Sequence, residues 1–150
     1  MKQSVVALMA LAAGALISSL ADKAAAEEWN AFSSSARVAY LADLSSISVL
    51  GDDTSINVAR VALPATPGDY SHKVNEYAIR CATNQSRIVV EIEYGPDGAE
   101  LDRYPETDVV WDTPAPNSLG ALIKSIACDS VRAQGENAAS IKAYIDGQAG

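Results

Sequence analysis

Positive charge is scarce in this 150-residue chain: 11 lysines and arginines stand against 19 aspartates and glutamates, a net charge of -8. A nucleic-acid binder needs a basic face for phosphates, and this balance argues against one. Aromatic residues make up 6% of the chain, a thin supply of base-stacking platforms. There are two cysteines and one histidine, His72. Two thiols cannot build a four-thiolate zinc site, and a lone histidine leaves little room for a multi-histidine centre. No glycine-rich phosphate loop occurs. The expectation is therefore no metal, no cofactor and no nucleic-acid partner. What is present is 49% hydrophobic and 20% charged, the balance of a globular chain. The length suits one domain.

Much of the apolar content sits at the start. Lys2 supplies a positive first region, Val5 to Ile17 carries no charge, and Ala24 and Ala26 give the small-x-small pattern of signal cleavage. Residues 1–26 thus read as an export signal, with Ser19-Leu20-Ala21 as a second cleavage site. The apolar run is shorter than the roughly 20 residues that span a bilayer. That argues against a retained anchor, so no transmembrane segment is expected after cleavage. Residues 27–150 keep nine basic and eighteen acidic residues, a net charge of -9. Cys81 and Cys128 both survive cleavage, and an even pair in an exported chain reads as one disulfide.

Alternation then marks strands. Trp29 to Ser33, Arg37 to Leu41, Thr54 to Leu63, Asn75 to Ala82, Arg87 to Tyr94 and Ala99 to Tyr104 are the candidates. Asp43 to Ser46 reads as a polar turn from which Ile47 tucks back into the core. Gly51-Asp52-Asp53 and Gly95-Pro96-Asp97-Gly98 are hairpin signals. In the fourth strand Tyr77, Ile79 and Cys81 share one face. In the fifth, Ile88, Val90, Ile92 and Tyr94 are expected on one side, and Arg87, Val89, Glu91 and Glu93 on the other. Val109 to Asp112 is a candidate edge segment.

Asn117 or Ser118 caps a helix whose apolar stripe is Leu119, Leu122, Ile123 and Ile126. Cys128 ends that stripe, so a Cys81–Cys128 bond would clamp the helix to the sheet. The expected fold is α+β. It is an antiparallel sheet of about five to six strands, with a C-terminal helix packed on one face and held by one disulfide. Residues 27–130 form the expected domain. Residues 131–150 read as a tail in which Asn137 caps a short helix, either docked as a second helix or frayed, with the mobile form favoured.

Chemistry is thin. His72 falls in the loop Asp69 to Lys73 and reads as solvated, with no nucleophile motif nearby. Glu91 and Glu93 share a strand face and could meet Glu100 or Asp102 across the hairpin. Paired carboxylates can do acid–base work, but the polar face of a half-buried sheet has the same sequence. Trp111, in a proline-rich stretch, is the best candidate for exposed recognition, since tryptophan is a frequent hot-spot anchor. Tyr104 beside Pro105 joins it. The candidate binding surface is thus Trp111, Tyr104, Glu91 and Glu93, with no catalytic residue assigned.

Taken in order, these pieces resemble the surface-adhesin protein E family of small exported bacterial proteins. The resemblance rests on Glu28-Trp29 after the leader, Tyr40, Asp43-Leu44-Ser45-Ser46-Ile47, and the strand Tyr77-Ala78-Ile79-Arg80-Cys81. It continues with Arg87 through Tyr94 to Gly98, then Trp111, Pro116, Ser118, the helix and Cys128. It covers about Trp29 to Cys128. It implies the sheet-and-helix fold above and an adhesive role, with named members binding host matrix and serum proteins. The expected function is non-enzymatic binding of a protein or other macromolecule in the periplasm or at the cell surface; a homo-oligomer is compatible with this. The alternative is a periplasmic binding or inhibitor module for a basic protein, steered by the acidic surface. An acidic-site hydrolase is the third reading.

Overall fold

The computed structural model describes residues 26–149, so nearly all of the export segment lies outside the described residues. Six strands form one sheet in chain order: β1 (Trp29–Ser34), β2 (Val38–Leu50), β3 (Asp53–Ala62), β4 (His72–Arg80), β5 (Gln85–Tyr94) and β6 (Glu100–Pro105). Every neighbouring pair is antiparallel. Local turn chemistry makes the meander. Gly51 sits at φ 63 between β2 and β3, and Gly98 at φ 80 between β5 and β6. Both are left-handed conformations that favour glycine. Two helices follow, α1 (Leu119–Asp129) and α2 (Ile141–Gln148).

The sheet is covered on opposite faces at opposite ends. On one face Leu41, Ala59, Val74 and Ile92 lie in a cross-strand row. Trp29, Val61 and Val90 join them, and Ile141 and Ile145 of α2 complete this core. On the other face Ala42, Ile56, Val58 and Ile79 receive Ile123 and Ile126 of α1. Adjacent strand residues point to opposite faces, so Leu41 and Ala42 serve different helices, as do Val58 and Ala59. The Cys81–Cys128 disulfide, with a Cα–Cα distance of 5.8 Å, joins the end of β4 to α1 as expected.

The connection between the helices must therefore pass around an edge of the sheet. It does so at β1. Trp29 and Ala138 exchange both backbone bonds at 2.9 Å. The buried Asn30 side chain donates to Asn137 Oδ1 at 2.8 Å and to the Ala133 carbonyl at 3.2 Å, and it accepts from Ala133 N at 2.9 Å. The crossover so covers part of an edge that would otherwise offer unpaired backbone groups.

Five local expectations change. Asp43 to Ser46 is no turn: β2 runs through it as a wide bulge, with four residues, Leu44 to Ile47, opposite the single Ile56. Polar side chains replace the missing ladder bonds. Asp43 Oδ1 accepts from Glu28 N and Ser45 N, and Ser46 Oγ accepts from Asn57 N at 2.8 Å. A second bulge at Val89 sets Ile88 opposite Tyr77 and Val90 opposite Glu76. Ile88 therefore lies on the α1 face, while Val90, Ile92 and Tyr94 lie on the α2 face. Leu122 is 42% exposed, because α1 turns Ile123 and Ile126 into the core and leaves Leu122 off that face. Ser140, not Asn137, caps α2, accepting from Ala143 N. And α2 is docked rather than mobile, since Ile141 and Ile145 are buried.

Candidate functional site

Each face has one end left free of its helix. On the α2 face the uncovered end carries Arg80 and Arg87. The Trp111 ring roofs it, with the Arg80 guanidinium 3.9 Å from the ring centroid and that of Arg87 at 5.5 Å. The segment is anchored where Asp112 and Ser86 exchange backbone bonds; of the expected edge segment Val109 to Asp112, Asp112 alone pairs, as an isolated bridge. Trp111 is thus half-buried in a cation–π stack. Its ring lies over an arginine cluster of its own chain.

On the α1 face the uncovered end is an open groove of about 450 Å³. The register places Tyr40, Arg60, Lys73, Glu93 and Asp102 in one row across five strands. Val38, Tyr40, Ala62 and Leu101 supply apolar walls, and Arg37 and Arg60 the cationic rim. In the floor, Lys73 Nζ lies 2.8 Å from Glu91 Oε1 and 2.5 Å from Glu93 Oε1. Hydrogen bonds to Glu91 and then to Glu93 hold the Lys73 ammonium above its usual range. Tyr104, opposite Glu91, points its hydroxyl toward Glu93 Oε2 at 3.5 Å. Neighbouring Asp102, ahead of burial and Glu93, pushes that hydroxyl upward.

Glu91, Glu93 and Tyr104 therefore cluster at the groove, while Trp111 lies on the opposite face. Glu93 does face Asp102, but Glu100 pairs with Arg103 at 3.1 Å. Both groove carboxylates are engaged by one ammonium. Among the described residues no three histidine, cysteine or acidic side chains come together to hold a metal ion.

Four residues of this site, Arg37, Tyr40, Arg60 and Lys73, escape a reading of the sequence. Alternation does carry part of the signal. Arg60 stands between Ala59 and Val61, and Lys73 precedes Val74, so each points away from the α2 core. That they meet is a matter of register between three strands. Among the described residues neither Arg37 nor Arg60 has an ion pair.

His72 is also placed differently: it opens β4 instead of lying in a loop. Its ring stacks on Tyr94 with centroids 4.4 Å apart. Nδ1 lies 2.7 Å from the Tyr70 carbonyl, which can only accept, so Nδ1 carries the proton. Burial lowers the His72 pKa, against smaller raising effects of that bond and of Glu27. The fold thus favours neutral His72. Stability from this group is full above the unfolded value of about 6.5 and is lost as pH falls through the depressed folded value. The melting temperature should fall between about pH 7.5 and about pH 5.5, and His72→Gln should flatten that slope. An unchanged slope in His72→Gln would refute the assignment, since no other histidine titrates there.

Comparison with known proteins agrees with this architecture. The family model for surface-adhesin protein E matches residues 29–129. The match spans β1 to the last residue of α1, including both cysteines. No curated protein and no solved structure matches the chain. The chain belongs to the surface-adhesin protein E family.

Proposed function

We propose that this member of the family is exported, loses residues 1–26, and acts without catalysis by binding a macromolecule outside the cytoplasm. The observation that carries the reading is the uncovered end of the α1 face. There a sheet places tyrosine, arginine and apolar side chains side by side over an open groove. Tyrosine and arginine are enriched at protein interfaces, where a few anchors carry most of the binding energy. Glu91, Glu93 and Tyr104 belong to this surface, and Trp111 offers a second contact on the other face. A host matrix or serum protein is the partner in this reading. Family membership and the absence, among the described residues, of a helix long and apolar enough to cross a membrane are compatible with it.

Two measurements test it together. N-terminal sequencing of the exported protein should begin at Glu27, or at Asp22 if the second site is used. A membrane-impermeant label applied to intact cells should then modify the protein. Labelling only after the outer membrane is opened would favour the periplasmic module. A protein that retains Met1 to Leu20 would overturn the export reading altogether.

A further inference from the structure

The groove allows the partner's chemistry to be narrowed. The inference rests on the binding role just proposed and goes beyond it. We infer that the groove takes an extended acidic segment of a partner protein, with an apolar side chain beside the carboxylate. The global charge points the other way, since a chain of net charge -8 is expected to attract cations. The local charge does not follow the global one. Around the groove Arg37, Arg60 and Lys73 are cationic, the carboxylates Glu91 and Glu93 are both engaged by Lys73, and Asp102 lies at the far end of the row, while burial lowers the His72 pKa. Lys73 is already spent on Glu91 and Glu93. That leaves the exposed guanidiniums of Arg37 and Arg60, which have no ion pair among the described residues.

A guanidinium binds a carboxylate through two parallel hydrogen bonds, a geometry that a lysine cannot reproduce. Arg37 lies opposite Leu63, whose N–H it receives, and Arg60 lies three residues further along β3. At about 3.3 Å per residue the two backbones stand roughly 10 Å apart. An extended segment can therefore bring an acidic group to each. The apolar walls set the second requirement. Val38, Tyr40, Ala62 and Leu101 need a hydrophobic side chain between the two charges, and Leu101 is 66% exposed without one. A polyanionic glycan fits less well, because Glu93 lies in the same groove and repels a continuous line of negative charge. The volume of about 450 Å³ lies within the range of built ligand sites.

The probe is a fluorescein-labelled hexapeptide with two aspartates flanking leucine and tyrosine. Its twin carries asparagines in their place. Anisotropy is read on the purified exported chain. The acidic probe should bind at least about tenfold more tightly than its twin, the size of one lost charge-assisted bond. Arg60→Glu and Arg37→Glu should each weaken the acidic probe by about tenfold or more. Both side chains are exposed, so the variants should melt like the parent. Ala62→Trp, which fills the groove without changing charge, should also weaken binding. Arg103→Glu makes the same change in net charge outside the groove and should leave the affinity within about threefold.

Equal binding of the twin would overturn the inference, as would an equal loss in Arg103→Glu. Displacement of the probe by inorganic sulfate at matched ionic strength would overturn it in favour of a simple anion site. Self-association that the probe does not displace would overturn it in favour of a second copy of this chain. The wider reading is scored separately. If groove variants keep full probe affinity while intact cells still adhere, the groove assignment fails and the adhesive role stands. If the probe binds as expected but the protein never leaves the cytoplasm, the groove stands and the adhesive role fails.

Discussion

Cys81→Ser should lower the stability of the exported protein by roughly 2–5 kcal/mol, and Cys128→Ser by the same amount. The bond joins positions 47 residues apart. Closing a loop of that length removes about 4 kcal/mol of unfolded-chain entropy in the chain-entropy account. The whole margin of a domain this size is of order 5–15 kcal/mol, so the loss is a large share of it. The damage should start locally. Apart from the disulfide, α1 meets the sheet mainly through Ile123 and Ile126, and its other apolar residues are only partly buried. Without the bridge, amide exchange in α1 should accelerate before exchange in β3 and β4. A reducing agent should reproduce the effect in the parent and add nothing to the variant. Equal melting temperatures for Cys81→Ser and parent would contradict the structural role, as would two free thiols in the exported chain.

Ile145→Ala should cost about 2–5 kcal/mol, the usual toll of emptying a well-packed isoleucine site. Ile145 is 1% exposed and belongs to the same core as Trp29, Leu41 and Val61. With only eight residues, α2 is too short to persist by itself. Its docking rests on Ile141 and Ile145, with a hydrogen bond from Tyr70 to Asp146 at 3.0 Å and the Lys142 ammonium over the Tyr70 ring. Leu122→Ala is the matched control. Helical spacing makes Leu122 look like a core residue, yet it is 42% exposed. Its substitution should change stability by less than about 0.5 kcal/mol. Chemical denaturation of the three proteins decides between the two rankings. If Leu122→Ala proved the costlier change, the packing of both helices would be wrong.

The bulges show where reading along the chain stops. Asp43-Leu44-Ser45-Ser46 has the composition of a turn, because aspartate and serine bond to their own backbone. They do so here, with Ser45 Oγ 2.6 Å from Asp43 Oδ1. But they do it inside a strand that pairs with β3 before and after them and with β1 up to Asp43. The local chemistry was legible, whereas the outcome depended on β1 and β3. Val89 is the same case in apolar form. Nothing in Ile88-Val89-Val90 marks the residue that drops out of register, so the alternation could not show that Ile88 changes sides.

The sequence by itself determined the hairpins and the pairing of the two cysteines, and it narrowed the α1 cap to Asn117 or Ser118. Each depends on residues close in the chain or on the only partner available. Glycines at 51 and 98 permit positive φ, and Cys81 has no thiol but Cys128 to meet. Once the strands are placed, alternation in β3 and β4 sets Arg60 and Lys73 on the face away from the α2 core. Only the tertiary structure decided that these cations share a groove, that Trp111 stacks on Arg80, and that α2 crosses to the face opposite α1. Those outcomes are set by register across the sheet and by the space each helix leaves uncovered. Both are sums over contacts distant in the chain, and no local pattern of residues carries them.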